Sequence, residues 1–154
     1  MLFRSDILQR ITASNPVEVP EAMIANHFQL LQEELKIQNS YRGRNAQTLR
    51  LSDAQKADLQ RRAAFAAHAS ILLEAIAGQE GIEVSDADIE AKYQEIADMR
   101  GQRVEAIRGY FQKENAVGEL KKRLMEERTI DWLLEASELK APEAPAADSS
   151  ESAS

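Results

Sequence analysis

Three carboxylates at alternate positions, Asp86, Asp88 and Glu90, follow the glycine-bounded stretch GQEG at 78–81 and are the first candidates for chemistry. Two chemistries suit such a row: coordination of a hard cation, or acid–base work by neighbouring carboxyls. A helix–loop–helix calcium loop counted from Asp86 needs glycine at its sixth position and a bidentate glutamate at its twelfth. Ala91 and Ala97 stand there instead, so that loop cannot be built. The same residues read well as a helix start. Ser85 is a good N-cap, Asp88 approximates a capping box, and acids in the first turn favour the positive end of the helix dipole. On this reading the acids mark a boundary and need no catalytic role.

Other reactive arrangements fare no better. His27 and His68 are the only histidines, and each sits within an apolar helical face where a partly buried structural role is expected. No His-x-x-x-His or Glu-x-x-His spacing occurs, no nucleophile elbow surrounds a serine, and no Gly-Lys-Ser/Thr follows the scattered glycines. With no cysteine, thiolate metal sites, disulfides and thiol catalysis are excluded, and a reducing compartment fits. The sequence therefore points to no metal, no cofactor and no catalytic residue. Arg61-Arg62 and Lys121-Lys122-Arg123 are each flanked by acids, which fits solvated helix faces with paired charges. A formal net charge of −7 argues against direct nucleic-acid binding. No apolar run approaches the roughly 20 residues that span a bilayer. The opening MLFRSDILQR breaks into charge too early for a signal peptide. A cytoplasmic chain without membrane contact is expected.

The elements that would position these residues are helices. Ala, Leu, Ile, Glu, Gln and Arg dominate, and β-branched runs are nearly absent. Apolar spacing predicts a short leading helix over 2–14, with Leu2, Ile7, Leu8 and Ile11 near one face, ended by Asn15-Pro16. A second helix is predicted from Glu21 to about Asn39, then a polar loop from Ser40 to Leu51. Ser52, with Gln55 three residues on, caps a third helix that runs to about Ala77 and stops at Gly78 and Gly81. Its AAFAAHAS segment offers small residues for close helix approach. Further helices are predicted over Asp86–Arg100, Arg103–Lys113 and Ala116–Ser137. The fold class is all-α: two hairpins, roughly 21–77 and 86–137, extended as arms behind the leading helix. The helical domain covers 1–139, and residues 140–154, rich in Ala, Pro, Ser and acid, are expected to be a disordered acidic tail. Long hairpins cannot bury every stripe, so large side chains such as Met23, Phe28, Tyr110, Phe111, Met125 and Trp132 are candidates to line an open groove.

Three segments carry a family resemblance. Asn15–Pro20 (NPVEVP) before an acidic amphipathic helix resembles the start of the first arm in the C-terminal domain of bacterial trigger factor. Ile76–Glu90 (IAGQEGIEVSDADIE) resembles that domain's turn between its arms, and Glu127–Leu139 (ERTIDWLLEASEL) resembles its last helix. The resemblance covers about residues 1–139. It implies the arm-bearing body of a ribosome-associated chaperone family that shields nascent chains. No basic glycine-rich docking loop and no β-rich isomerase segment is found in this chain. Ribosome contact would thus run only through a domain absent here, and prolyl-isomerase activity is not carried over. A chain starting inside the pattern is expected to be an excised fragment or a natural truncated relative.

The function this implies is ATP-independent holding of unfolded or nascent polypeptides. Size and helical position nominate Met23, Phe28 and Leu31 in the first arm, and Tyr110, Phe111 and Met125 in the second. Two alternatives stay open: a helical interaction module that dimerises through its stripes, and the helical domain of a periplasmic parvulin-type chaperone, which shares a similar Ile-x-Val-Ser/Thr-Asp turn.

Overall fold

The structure, a computed structural model, describes residues 3–43 and 50–140. The loop tip at 44–49, the expected tail beyond 140 and Leu2 of the leading helix lie outside the described residues. Among the described residues there are six helices: α1 (Arg4–Ser14), α2 (Glu21–Tyr41), α3 (Asp53–Glu80), α4 (Asp86–Arg100), α5 (Val104–Lys113) and α6 (Val117–Lys140). There is no strand among the described residues.

Each boundary has a local cause. The Gln55 amide donates to the Ser52 hydroxyl at 3.2 Å, and the Ser52 amide donates to the Gln55 side chain at 2.9 Å, closing a capping box on α3. Ser85 and Asp88 build the same box on α4, at 2.8 and 3.3 Å. Helices α3 and α4 both end on a left-handed glycine, Gly81 at φ +66° and Gly101 at φ +62°. The amide after each glycine reaches back, to the carbonyls of Ala77 and Ala97. Gly78, expected to help stop α3, stays inside it. A glycine ends a helix where the backbone turns left-handed, and in a helix interior it costs only about 1 kcal/mol. The turn into α6 uses Asn115 at φ +53°, a residue type that tolerates this region. Three limits move outward by a few residues: α2 runs through Tyr41, α3 runs to Glu80, and α6 runs to Lys140.

Helix α3 is the central element, packed against α1, α2 and α6, while α1 also meets α6. Its buried side chains are mostly small: Ala63, Ala67, Ala69, Ser70 and Ala77, with Leu59 and Leu73. Small residues let neighbouring backbones approach, which is how one helix serves three partners. Polar ties fix the junction. The Ser70 hydroxyl donates to the Glu126 carboxylate of α6 at 2.6 Å. His68 Nε2 donates to the Asn15 carbonyl just beyond α1 at 2.7 Å. Arg4 of α1 pairs with Asp131 of α6.

From this junction α2 and α3 extend as the first arm. Across its 21 residues α2 has no fully buried side chain; it packs chiefly on α3 and keeps its outer side in solvent. Helices α4 and α5 pair as the second arm around Val84, Ile89, Tyr93, Ala97, Ile107 and Leu120. Leu120 belongs to α6, as do Leu124 and Met125, which pack on the same cluster. The second hairpin expected over 86–137 is thus resolved differently: α4 and α5 form a short hairpin, and α6 seals it before continuing onto α3 and α1. Length is the reason. At 1.5 Å per residue α6 spans about 36 Å and α5 only about 15 Å, so most of α6 must find partners elsewhere.

Candidate functional site

The alternating acids do not converge. Asp86 is exposed in the first turn of α4. Asp88 pairs with Arg128 Nη2 of α6 at 2.6 Å, and Glu90 accepts both Nε and Nη2 of Arg108 from α5, at 2.8 and 2.7 Å. Arg128 also donates through Nη1 to the Glu83 carbonyl at 2.8 Å. One guanidinium therefore ties the connector between α3 and α4, and the first turn of α4, to α6. The Arg128 guanidinium, followed by the Ser85 amide and hydroxyl, holds the Asp88 carboxyl well below the usual carboxylate range. Arg108 holds Glu90 down in the same way, and burial pushes the Tyr93 phenol up. No group of three or more His, Asp or Glu side chains suited to a metal ion occurs among the described residues. These acids orient helices at a joint.

This joint makes a pH prediction. A carboxyl whose folded pKa lies below its unfolded one stabilises the fold in full above the unfolded value, here 3.8, and loses that contribution as pH falls toward the folded value. Asp88→Asn should lower the urea midpoint by a constant margin at about pH 5–8, and the margin should narrow below about pH 4. A margin unchanged at about pH 3 would assign the effect of Asp88 to something other than its charge.

Beside the joint lies an open cleft of about 590 Å³. One wall comes from the end of α3 and the connector, with Glu74, Ile82, Glu83 and Val84. The other comes from α6, with Gly118, Lys121, Lys122 and Met125. Val84 is buried and Ile82 half-buried, so the cleft has an apolar floor under a charged rim. It holds no arrangement of nucleophile and base, and its chemistry is that of apolar contact bordered by both signs of charge.

The nominated side chains divide between the two arms. Phe28 and Leu31 are half-buried, on the same side of α2 as Ile24 and Leu35, the side packed toward α3. Met23, also half-buried, falls on a different line of the helix, seven residues before Leu30 and fourteen before Ile37. Phe111 packs on the second-arm core with its ring 5.3 Å from that of Tyr93. Tyr110 is 58% exposed and stands edge-on against Phe111 at 5.6 Å. Met125 lines the cleft. Because α2 packs on α3, and α5 on α4, the first triad lies on one helix pair and Tyr110 and Phe111 on another, while Met125 comes from α6. Sequence reasoning missed an outward stripe on α2: Leu30, Ile37 and Tyr41, exposed by 61%, 55% and 88%. Spacings of seven and four carry the signal in the sequence, but periodicity alone does not say which side of α2 its neighbour covers.

Together these features define a class: an all-helical scaffold, with paired-helix arms on a shared junction, exposed apolar side chains on the arms and an open cleft beside the joint. Comparison with known proteins gives the family. The model for the C-terminus of bacterial trigger factor protein matches residues 2–135. The trigger factor of Geotalea uraniireducens is 31% identical over 137 residues, covering 85% of this chain and 31% of that protein. The trigger factor of Halothermothrix orenii is 30% identical over 135 residues, covering 84% and 32%. A structure of trigger factor domains from Thermotoga maritima superposes with a TM-score of 0.62 at 18% identity, over 86% of this chain and 79% of that one, a likeness of fold. The chain belongs to the trigger factor C-terminal family, a chaperone family. It spans about a third of the length of the curated relatives it matches.

Proposed function

We propose that this chain is the client-binding body of an ATP-independent chaperone that holds unfolded or nascent polypeptides in the cytoplasm. The observation that carries the reading is exposed apolar surface on a helical arm: Leu30, Ile37 and Tyr41 point into solvent along one line of α2. Exposed apolar side chains repeated along one line of a helix, interrupted here by Glu33 and Glu34, offer a series of apolar contacts to an extended client. Met23 extends that line, and Tyr110 and Met125 offer further apolar contact on the second arm and in the cleft. Phe28, Leu31 and Phe111 would contribute both to packing and to client contact. The charged rim keeps a loaded complex in solution, and weak additive contacts allow release without a nucleotide cycle. Any ribosome contact would use a region outside this chain, and no nucleic acid or membrane is engaged. Prolyl-isomerase turnover by the purified chain is expected to match buffer.

The test is suppression of aggregation of a chemically denatured client. Leu30→Ser/Ile37→Ser/Tyr41→Ser should lose at least half of the protection. Its melting temperature should stay within a few degrees of wild type, because exposed side chains contribute little to stability. Equal protection by wild type and variant would remove the stripe from the site. The heptad spacing of Met23, Leu30 and Ile37 favours one competing reading, self-association through α2. Light scattering that rises to a dimer with concentration, without protection of a client, would select it.

A further inference from the structure

The cleft beside the joint sets opposite charges on opposite walls without letting them meet. Glu74 and Glu83 come from the α3–connector wall, and Lys121 and Lys122 from the α6 wall. The ion pairs among the described residues all join other side chains, so none of these four meets an opposite charge of another described residue within 4.0 Å. Each wall also supplies an apolar side chain, Ile82 from the connector and Met125 from α6.

We propose that this cleft binds polypeptide segments in which an apolar side chain is flanked by a basic residue on one side and an acidic residue on the other. The inference rests on the client-binding reading and adds a chemical preference to it. The apolar group sits between Ile82 and Met125, whose flexible thioether adapts to different shapes. The basic flank completes pairs with Glu74 and Glu83, and the acidic flank with Lys121 and Lys122. A cleft of about 590 Å³ suits one or two side chains of a segment. Charges on an open rim add little raw affinity, but they discriminate, because a segment of uniform charge satisfies one wall and is repelled by the other.

Fluorescence anisotropy with the whole 154-residue chain tests this. The probes are labelled decapeptides with a central leucine pair, flanked by lysines on one side and aspartates on the other, by lysines on both, by aspartates on both, or by glutamines on both. The mixed peptide should bind about fivefold tighter than the other three. Glu74→Gln/Glu83→Gln should erase its advantage over the all-aspartate peptide, and Lys121→Gln/Lys122→Gln its advantage over the all-lysine peptide. Opposite shifts in the two variants are the signature that general loss of structure cannot produce, and circular dichroism checks that both remain helical. Four peptides binding alike to wild type, or both variants shifting preference in one direction, would overturn the proposal. If client aggregation is still suppressed in that case, the client-binding reading stands and only the preference falls. If suppression is absent too, both fall.

Discussion

Tyr93→Ala should destabilise the chain by about 3–4 kcal/mol, the largest single effect expected from any side chain in the second arm. Tyr93 is 3% exposed and sits at the centre of the cluster formed with Val84, Ile89, Ala97, Ile107 and Leu120, with the Phe111 ring 5.3 Å away. Removing the ring forfeits its buried area and leaves a cavity that short helices on either side can only partly collapse. For a chain of this size the melting temperature should fall by about 10 °C in a far-ultraviolet circular dichroism scan. Tyr93→Phe keeps the ring and should cost less than about 1.5 kcal/mol. The contrast matters for function, since this cluster also supports Phe111, against which Tyr110 stands, and Met125, which lines the cleft. A loss below about 1.5 kcal/mol for the alanine variant would mean that the arm does not depend on this core.

Ala67→Leu should cost about 2–3 kcal/mol by the opposite mechanism, overpacking. Ala67 has 0% of its surface exposed, on the helix shared by α1, α2 and α6. A larger side chain there forces neighbouring helices apart or into strained rotamers. Alanine and leucine have similar helix propensity, so the change reports packing with little local contribution. Ala75→Leu, on the exposed side of α3, is the matched control and should be within about 0.5 kcal/mol of wild type. Urea denaturation of the three proteins separates the cases. Equal midpoints for Ala67→Leu and Ala75→Leu would remove the tight junction from the account.

Much of the helical order is legible in the chain because its signals are local. Ser52 with Gln55 and Ser85 with Asp88 place two helix starts, and Gly81 and Gly101 place two stops; each needs only neighbours within a few residues. Gly78 shows the limit of that logic, since residue type alone does not say which glycine adopts positive φ. The small-residue segment of α3 was readable as a close-approach surface, though not that three helices would use it.

Charge and exposure were less legible. The acids at 86–90 could be dismissed as ligands by spacing, but their partners Arg108 and Arg128 lie 18 and 40 residues further on, a separation that local pattern cannot bridge. The same holds for the nominated binding residues. Size and period identify an apolar side chain, while its availability depends on which face the neighbouring helix covers. Phe28 and Leu31 fall on the covered side of α2, Leu30 and Ile37 on the open one.

Helix identity, helix ends and family membership were thus written in the linear chain, because caps, breakers and periodicity act over one or two turns. Assembly set the rest: α6 divided between second arm and junction, Arg128 pinned the connector, and a stripe on α2 and a cleft beside Met125 stayed open. Those outcomes depend on which helices meet, and that is a competition among long-range contacts that no short stretch of sequence contains.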